Sequence, residues 1–318
     1  MVAAAGGEAR YFEHDGQRLA YTDYGSGDVP FVLLHGQLLS QYMHMPLAKA
    51  LAARGHRVVT LDLLGHGASE RPPDLWRYSM TRFAEQVVGL LDHLEVQRAI
   101  VGGTSLGANV SLEFGAVAPG RAEALVVEMP VLDAGVYGAV IAFTPLLSWL
   151  MFGQPMVQLT GRLARLVPRS ALPFLGNVML DTLRQDHRSS AAILQGLFLG
   201  RIAPPPEVRR ALPMPVLVIG HRHDPIHPHA DAVMLAGEAP RARLVEATSI
   251  LELRLHPERL TDEIGRFLDE VTSEASSTLR AGRNDRRRAA AASTRPRRRP
   301  SPSRRKPRRP VTASSGGR

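Results

Sequence analysis

The hydrophobic pattern opens with a period of two. Over Ala9 to Glu13, and again over Arg18 to Asp23, apolar and polar residues alternate, and His14-Asp15-Gly16-Gln17 separates the two stretches. This predicts an antiparallel hairpin at a sheet edge. The pattern then changes to short continuous apolar runs: Pro30 to Leu34, Arg57 to Leu61, Arg98 to Val101, Ala122 to Val127 and Pro215 to Ile219, with a weaker one at Arg243 to Ala247. Runs of this length without polar alternation are those of strands buried on both faces, as in a parallel sheet. Between them apolar residues recur at helical spacing over Pro46 to Arg54, Met80 to Leu94, Leu106 to Val117, His229 to Ala236 and Pro257 to Val271. Alternating strands and helices predict an α/β domain, a mostly parallel central sheet covered by helices on both faces and connected by right-handed crossovers.

The alternation breaks between Pro130 and Pro213, where there are helical stretches but no convincing strand. The segment 131–212 therefore reads as a helical cap inserted between two parts of the core, 1–130 and 213–272. Its first part, Val136 to Leu159, is strongly apolar, but Pro145 and Pro155 interrupt it and Thr144, Ser148 and Gln154 sit within it. A continuous spanning helix needs about 20 apolar residues, so the expectation is a cap helix packed over the sheet, with lipid contact at an interface as the lesser alternative.

Composition adds limits. The chain has 318 residues, 44% of them hydrophobic and 22% charged, which are the proportions of a globular protein. There is no cysteine, which rules out disulfides, thiolate metal sites and a thiol nucleophile. Met1 to Arg10 lacks a basic stretch followed by an apolar core, so a cytoplasmic protein is expected. The net charge of +9 is unevenly distributed: fifteen of the 39 basic residues, against two acidic ones, lie after Thr272. The remaining body, with 24 basic and 28 acidic side chains, has no positive excess to offer a nucleic acid. Residues 273–318 are rich in Arg, Pro, Ala and Ser and nearly devoid of large apolar side chains, so a disordered tail is expected. Its functional reading is weak contact with anionic partners; the bland one is an unselected extension.

The candidate chemistry centres on Gly103-Thr104-Ser105-Leu106-Gly107. An apolar strand runs into this G-x-S-x-G and a helical pattern leaves it, which is the context of a strained turn that pushes a serine hydroxyl clear of both elements. The first N–H groups of the following helix favour an oxyanion there. Upstream, Phe31 to Leu34 ends in His35-Gly36-Gln37, so the backbone N–H groups of Gln37 and Leu106 are the candidate oxyanion donors, and His35 is expected to be structural. Asp62 to Ser69, a second glycine-rich turn after a strand, reads as a structural loop.

Together His35-Gly36, Asp62 to Ser69, Gly103 to Gly107, the helical insertion and Val216 to Pro228 resemble the α/β-hydrolase family, over about residues 8 to 272. The resemblance implies an α/β-hydrolase fold and a Ser-His-Asp triad with Ser105 as nucleophile and Asp224 as acid; Asp133 is the alternative acid. It also implies a histidine after the last strand, several residues before a helix that opens here at Pro257-Glu258. Ser249 or Ile250 stands at that place. His256 keeps the order Ser, Asp, His and is the candidate base, beside the alternative of a surface or helix-capping residue. His223 and His227, flanking Asp224, are weaker substitutes. The cluster His221, His223, Asp224, His227, His229 and Asp231 also invites a metal reading, but the acid loop of a triad explains the same segment, and no metal or cofactor is expected. Two functions stay open: a serine hydrolase for an ester or related acyl bond of a small hydrophobic substrate, and a hydrolase-fold ligand-binding protein that has lost its base.

Overall fold

The computed structural model describes residues 9–224 and 226–274. β1 (Arg10–His14) and β2 (Gln17–Tyr24) pair antiparallel, joined by Asp15 (φ 50°) and Gly16 (φ 69°). Two successive left-handed residues make the tight turn whose twist suits a hairpin, and Asp-Gly is a pair that adopts it readily. Six further strands follow: β3 (Phe31–Leu34), β4 (Val58–Asp62), β5 (Ala99–Thr104), β6 (Ala122–Glu128), β7 (Val216–His221) and β8 (Ala242–Ala247). They form one eight-stranded sheet in the order β1-β2-β4-β3-β5-β6-β7-β8. β2 joins β4 antiparallel, and every pairing from β4 onward is parallel.

Helices α1 (Met45–Ala53), α2 (Met80–His93) and α3 (Leu106–Val117) connect the first half. One face of the sheet packs on α2 and α3 through Phe83, Val87, Leu90, Leu112 and Phe114. The other face receives Leu47 and Leu51 of α1. Between β6 and β7 stand only helices: α4 (Gly135–Phe152), α5 (Gln154–Leu166), α6 (Phe174–Leu183), α7 (His187–Leu199) and the short α8 (Pro206–Arg209). After β7 come α9 (His229–Glu238), which packs Leu235 into the first face, the short α10 (Glu252–Leu255), and α11 over residues 258–274, which closes the second face with Leu260, Ile264 and Phe267.

The fold expected from the hydrophobic pattern is the fold observed, with one correction. Pro145 does not break the cap helix but lies inside α4. A proline removes one helical hydrogen bond and crowds the preceding turn. Ile141 and Pro145 both lie on the exposed side of α4, where the carbonyl that loses its partner is not sealed in a core. Pro155 sits in the first turn of α5, where no N–H is needed. α11 continues through Ser273 and Glu274; the rest of the tail expected to be disordered, 275–318, lies outside the described residues.

Candidate active site

The carboxyl ends of β3, β5 and β7 carry Gln37, Ser105 and Asp224, the edge at which open α/β sheets bind ligands. Ser105 lies between β5 and α3 with φ 55° and ψ −110°, a strained conformation for a residue with a side chain. Its neighbours explain how the turn closes. A Cβ on Gly103 would stand 2.3 Å from the carbonyl oxygen of Leu34, and one on Gly107 would stand 2.2 Å from the same atom. Only glycine lets the turn pack this tightly against β3. The backbone is fixed further by Ser105 N–H donating to Glu128 O at 2.9 Å and Asn109 N–H to Ser105 O at 3.0 Å.

The acid loop organises itself around one carboxylate. Asp224 Oδ1 accepts the backbone N–H groups of Ile226 (2.8 Å) and His227 (3.0 Å), folding the chain back over the side chain. Oδ2 faces His227 Nδ1 at 2.8 Å, and His227 Nε2 stands 2.8 Å from Ser105 Oγ. Because the carboxylate can only accept, Nδ1 carries the proton, and Nε2 is left to accept from the serine hydroxyl. Burial alone would raise the Asp224 carboxyl, but the His227 ring and the two backbone donors outweigh it and hold it below its ordinary value. The Asp224 side chain is 5% exposed and that of His227 13%, so little water competes for these bonds.

This geometry corrects the expected base. His256 is exposed at the end of α10, its backbone N–H donating to Glu252 O, and does not reach Ser105. His227, the weaker substitute, is the histidine that does. The alternative acid, Asp133, is 61% exposed and pairs with Arg209. The sequence does hold a signal for His227: the Asp-x-x-His spacing lets one carboxylate bind both the turn and the ring, but it is recognisable only once the usual position is seen to lack a histidine.

The segment after β8 serves another purpose. Arg254 Nη2 donates to Thr104 Oγ1 (2.8 Å) and to Glu128 Oε2 (2.9 Å), directly behind the Ser105 turn. Glu128 is buried, also accepts from the Thr104 hydroxyl and lies 3.5 Å from His221 Nε2. Burial favours its neutral form, yet Arg254 and His221 prevail and hold the carboxyl well below the usual range. Glu252, held to about 2 against its burial by Arg259 and Thr248, closes the turn leading into α10.

The backbone N–H groups of Leu106 and Gln37, the candidate oxyanion donors, flank the Ser105 turn. Leu106 opens α3, so its N–H belongs to the unpaired first turn. Gln37 follows Gly36, whose Cβ, were there one, would stand 4.0 Å from that of Ser105. Neither N–H meets an acceptor among the described residues. His35 shapes this turn: its Nε2 accepts Leu63 N–H, so Nδ1 carries the proton and donates to Gly36 O at 2.9 Å. Burial lowers its pKa and keeps it neutral.

A cavity of about 60 Å³ opens beside Ser105, lined by Met80, Leu106, Val131, Phe143, Leu194 and Leu197 among others. Two polar side chains reach it. Asn109 is fully engaged with the backbone of Val131 and Ile202, whereas both amide atoms of Gln37 are buried without a partner among the described residues. Sequence reasoning gave Gln37 a backbone role alone. The roof of the site is tied to the acid loop by Asp231, in the first turn of α9, whose buried carboxylate accepts the N–H groups of Leu132, Ala134 and Gly135 at 2.7 to 3.0 Å and so caps α4. The other members of the suspected metal cluster go separate ways: His221 meets Ser249 O, and His229 faces Glu246.

A family model described as the alpha/beta hydrolase fold matches residues 29–189. The chain is 28% identical over 281 residues to 2-hydroxymuconate semialdehyde hydrolase of Pseudomonas sp. (strain CF600), covering 82% of this chain and 94% of that one. It is 40% identical over 104 residues to the dihydrolipoyllysine-residue acetyltransferase component of the acetoin cleaving system of Pseudomonas putida; that match covers 32% of this chain and spans only 26% of the relative's length. Among solved structures, a hydrolase from Pseudomonas aeruginosa PA01 superposes with a TM-score of 0.68 at 23% identity, covering 83% of this chain and 99% of that one.

Proposed function

Since the chain belongs to the alpha/beta hydrolase fold family and is an enzyme of that kind, we propose that it is a serine hydrolase cleaving an ester or related acyl bond of a small apolar substrate. The observation that carries this reading is His227 bridging Ser105 and Asp224 at 2.8 Å on either side. Ser105 Oγ attacks the substrate carbonyl while His227 Nε2 takes its proton, and Asp224 steadies the imidazolium. The carbonyl oxygen, now negative, is held by the N–H groups of Gln37 and Leu106. His227 returns the proton to the leaving alcohol, and an acyl group remains on Ser105. Water then attacks this ester, His227 takes the water's proton, and collapse releases the acid and restores the serine.

The cavity supports this substrate class. Its lining is almost wholly apolar, and its volume is well below the ~300–1,000 Å³ of sites for drug-sized ligands, which favours a short acyl group. The unpartnered Gln37 amide is placed to bond a polar substituent of that group, since leaving it unpaired in a filled site costs ~1–3 kcal/mol. The binding-protein alternative rested on a missing base, and a histidine beside Ser105 removes that support. The test is labelling with a fluorophosphonate together with hydrolysis of p-nitrophenyl esters of increasing chain length. Labelling and turnover of the short esters, both lost in Ser105→Ala, are expected; a folded wild type inert to every probe would refute the proposal.

A further inference from the structure

Helix α4 is apolar on two opposite faces. Its inner face, at Ala139, Phe143, Leu146 and Leu150, packs toward α7 and lines the cavity over Ser105. Its outer face, at Tyr137, Ile141 and Phe152, is 74 to 83% exposed. A soluble helix that is apolar all round is normally buried all round, and α4 is not, although by length and composition it is apolar enough to meet the bilayer core. The next helix repeats the pattern. On α5, Leu159, Leu163 and Leu166 recur at helical spacing and are all exposed, while Arg162 and Arg165 flank this stripe, exposed and without an ion pair among the described residues.

The charges identify the occupant. From Ala134 to Leu180 the sequence has no Asp or Glu, and Arg162, Arg165 and Arg169 are its only charged residues. A second copy of the chain would set cations against cations, and a protein partner would leave the arginine-flanked stripe needing acids of its own. An anionic lipid surface supplies both an apolar layer and a negative one. We infer that the cap's outer surface, α4 with α5, docks on anionic phospholipid membranes, with α4 and α5 lying in the interface and not crossing it. α4 would then separate the cavity from lipid by one helix diameter, about 10 Å. Docking is independent of the serine chemistry, and the test reads binding alone.

Trp149 lies on α4 and is 44% exposed; Trp76, the other tryptophan in the chain, lies in the turn Leu75–Arg77 before α2 and is 71% exposed. The experiment uses full-length Trp76→Phe protein, so that Trp149 alone reports, with vesicles of phosphatidylglycerol and brominated phosphatidylcholine. Expected are co-flotation with the vesicles, quenching of Trp149 by the bromines, and a loss of affinity of about tenfold or more in the Ile141→Asp/Phe152→Asp double variant, with an unchanged melting temperature. Flotation without quenching of Trp149 would mean attachment through the basic tail and would overturn the proposal. So would a protein that stays in solution, or one whose Trp149 is shielded by dimer formation without lipid.

Discussion

Two loops at the carboxyl edge of the sheet, the one after β7 and the one after β8, divide the work differently from the expectation that each supplies one member of the triad. In the proposed triad the loop after β7 supplies both acid and base, with Asp224 and His227 three residues apart and joined through one carboxylate. Among the described residues the segment after β8 brings no histidine to Ser105; its Glu252 and Arg254 hold its own turn and the Glu128 carboxylate behind Ser105. A proton relay needs atoms at given points, not at given places in the chain, and a support under the strained Ser105 turn is needed wherever the base comes from.

The largest effect that sharpens this contrast is expected at Asp224. Asp224→Asn should lower kcat/KM for a short ester by about 10²–10⁴, since it removes the charge that fixes the His227 tautomer, while the amide Oδ1 still accepts the N–H groups of Ile226 and His227 and keeps the turn. Retention of near wild-type activity would separate the acid from the base and break the picture of one self-organised loop.

Arg254→Met tests the second region through stability. Stranding the buried Glu128 carboxylate without its cation should cost about 3–5 kcal/mol in urea unfolding at neutral pH. The sign of its pH dependence is fixed. In the wild type the depressed Glu128 carboxyl contributes stability that is fully present above its ordinary value of 4.5 and is lost as pH falls below it. In the variant the carboxyl is no longer held charged by Arg254, so the gap between the two proteins should narrow as pH falls through that range. A gap independent of pH would show that Arg254 acts by packing alone.

Smaller effects concern the roof. Asp231→Ala strands three N–H groups at the start of α4 and should lower stability by about 2–3 kcal/mol, visible first as faster hydrogen exchange in 132–138. Gln37→Ala keeps the backbone donor and should change KM for polar-substituted acyl esters by about threefold to thirtyfold while leaving unsubstituted ones nearly unaffected; equal loss for both would deny the side chain a role in selection.

Much of this was legible in the chain. The strands were found because a buried parallel strand reads as an unbroken apolar run, and Ser105 because Gly103, Gly107, a strand and a helix surround it in one short stretch. Asp224 is legible through the family resemblance of Val216 to Pro228 around it. What escaped were features decided by long-range geometry. His227 lies three residues from the acid but 122 residues from Ser105, and nothing local tells a loop histidine that bonds its neighbour from one that also meets the nucleophile. The burial of both Gln37 amide atoms depends on the cap closing over them, and the tolerance of Pro145 depends on which side of α4 faces out.

The most direct test of the central claim is the rate of fluorophosphonate labelling of Ser105 in the wild type, His227→Ala and His256→Ala, measured side by side on proteins with matched melting temperatures. A fall of about 10³-fold or more in His227→Ala, with His256→Ala within about twofold of wild type, is the result expected of a base carried on the acid loop. Loss of labelling in His256→Ala with His227→Ala unaffected would contradict it.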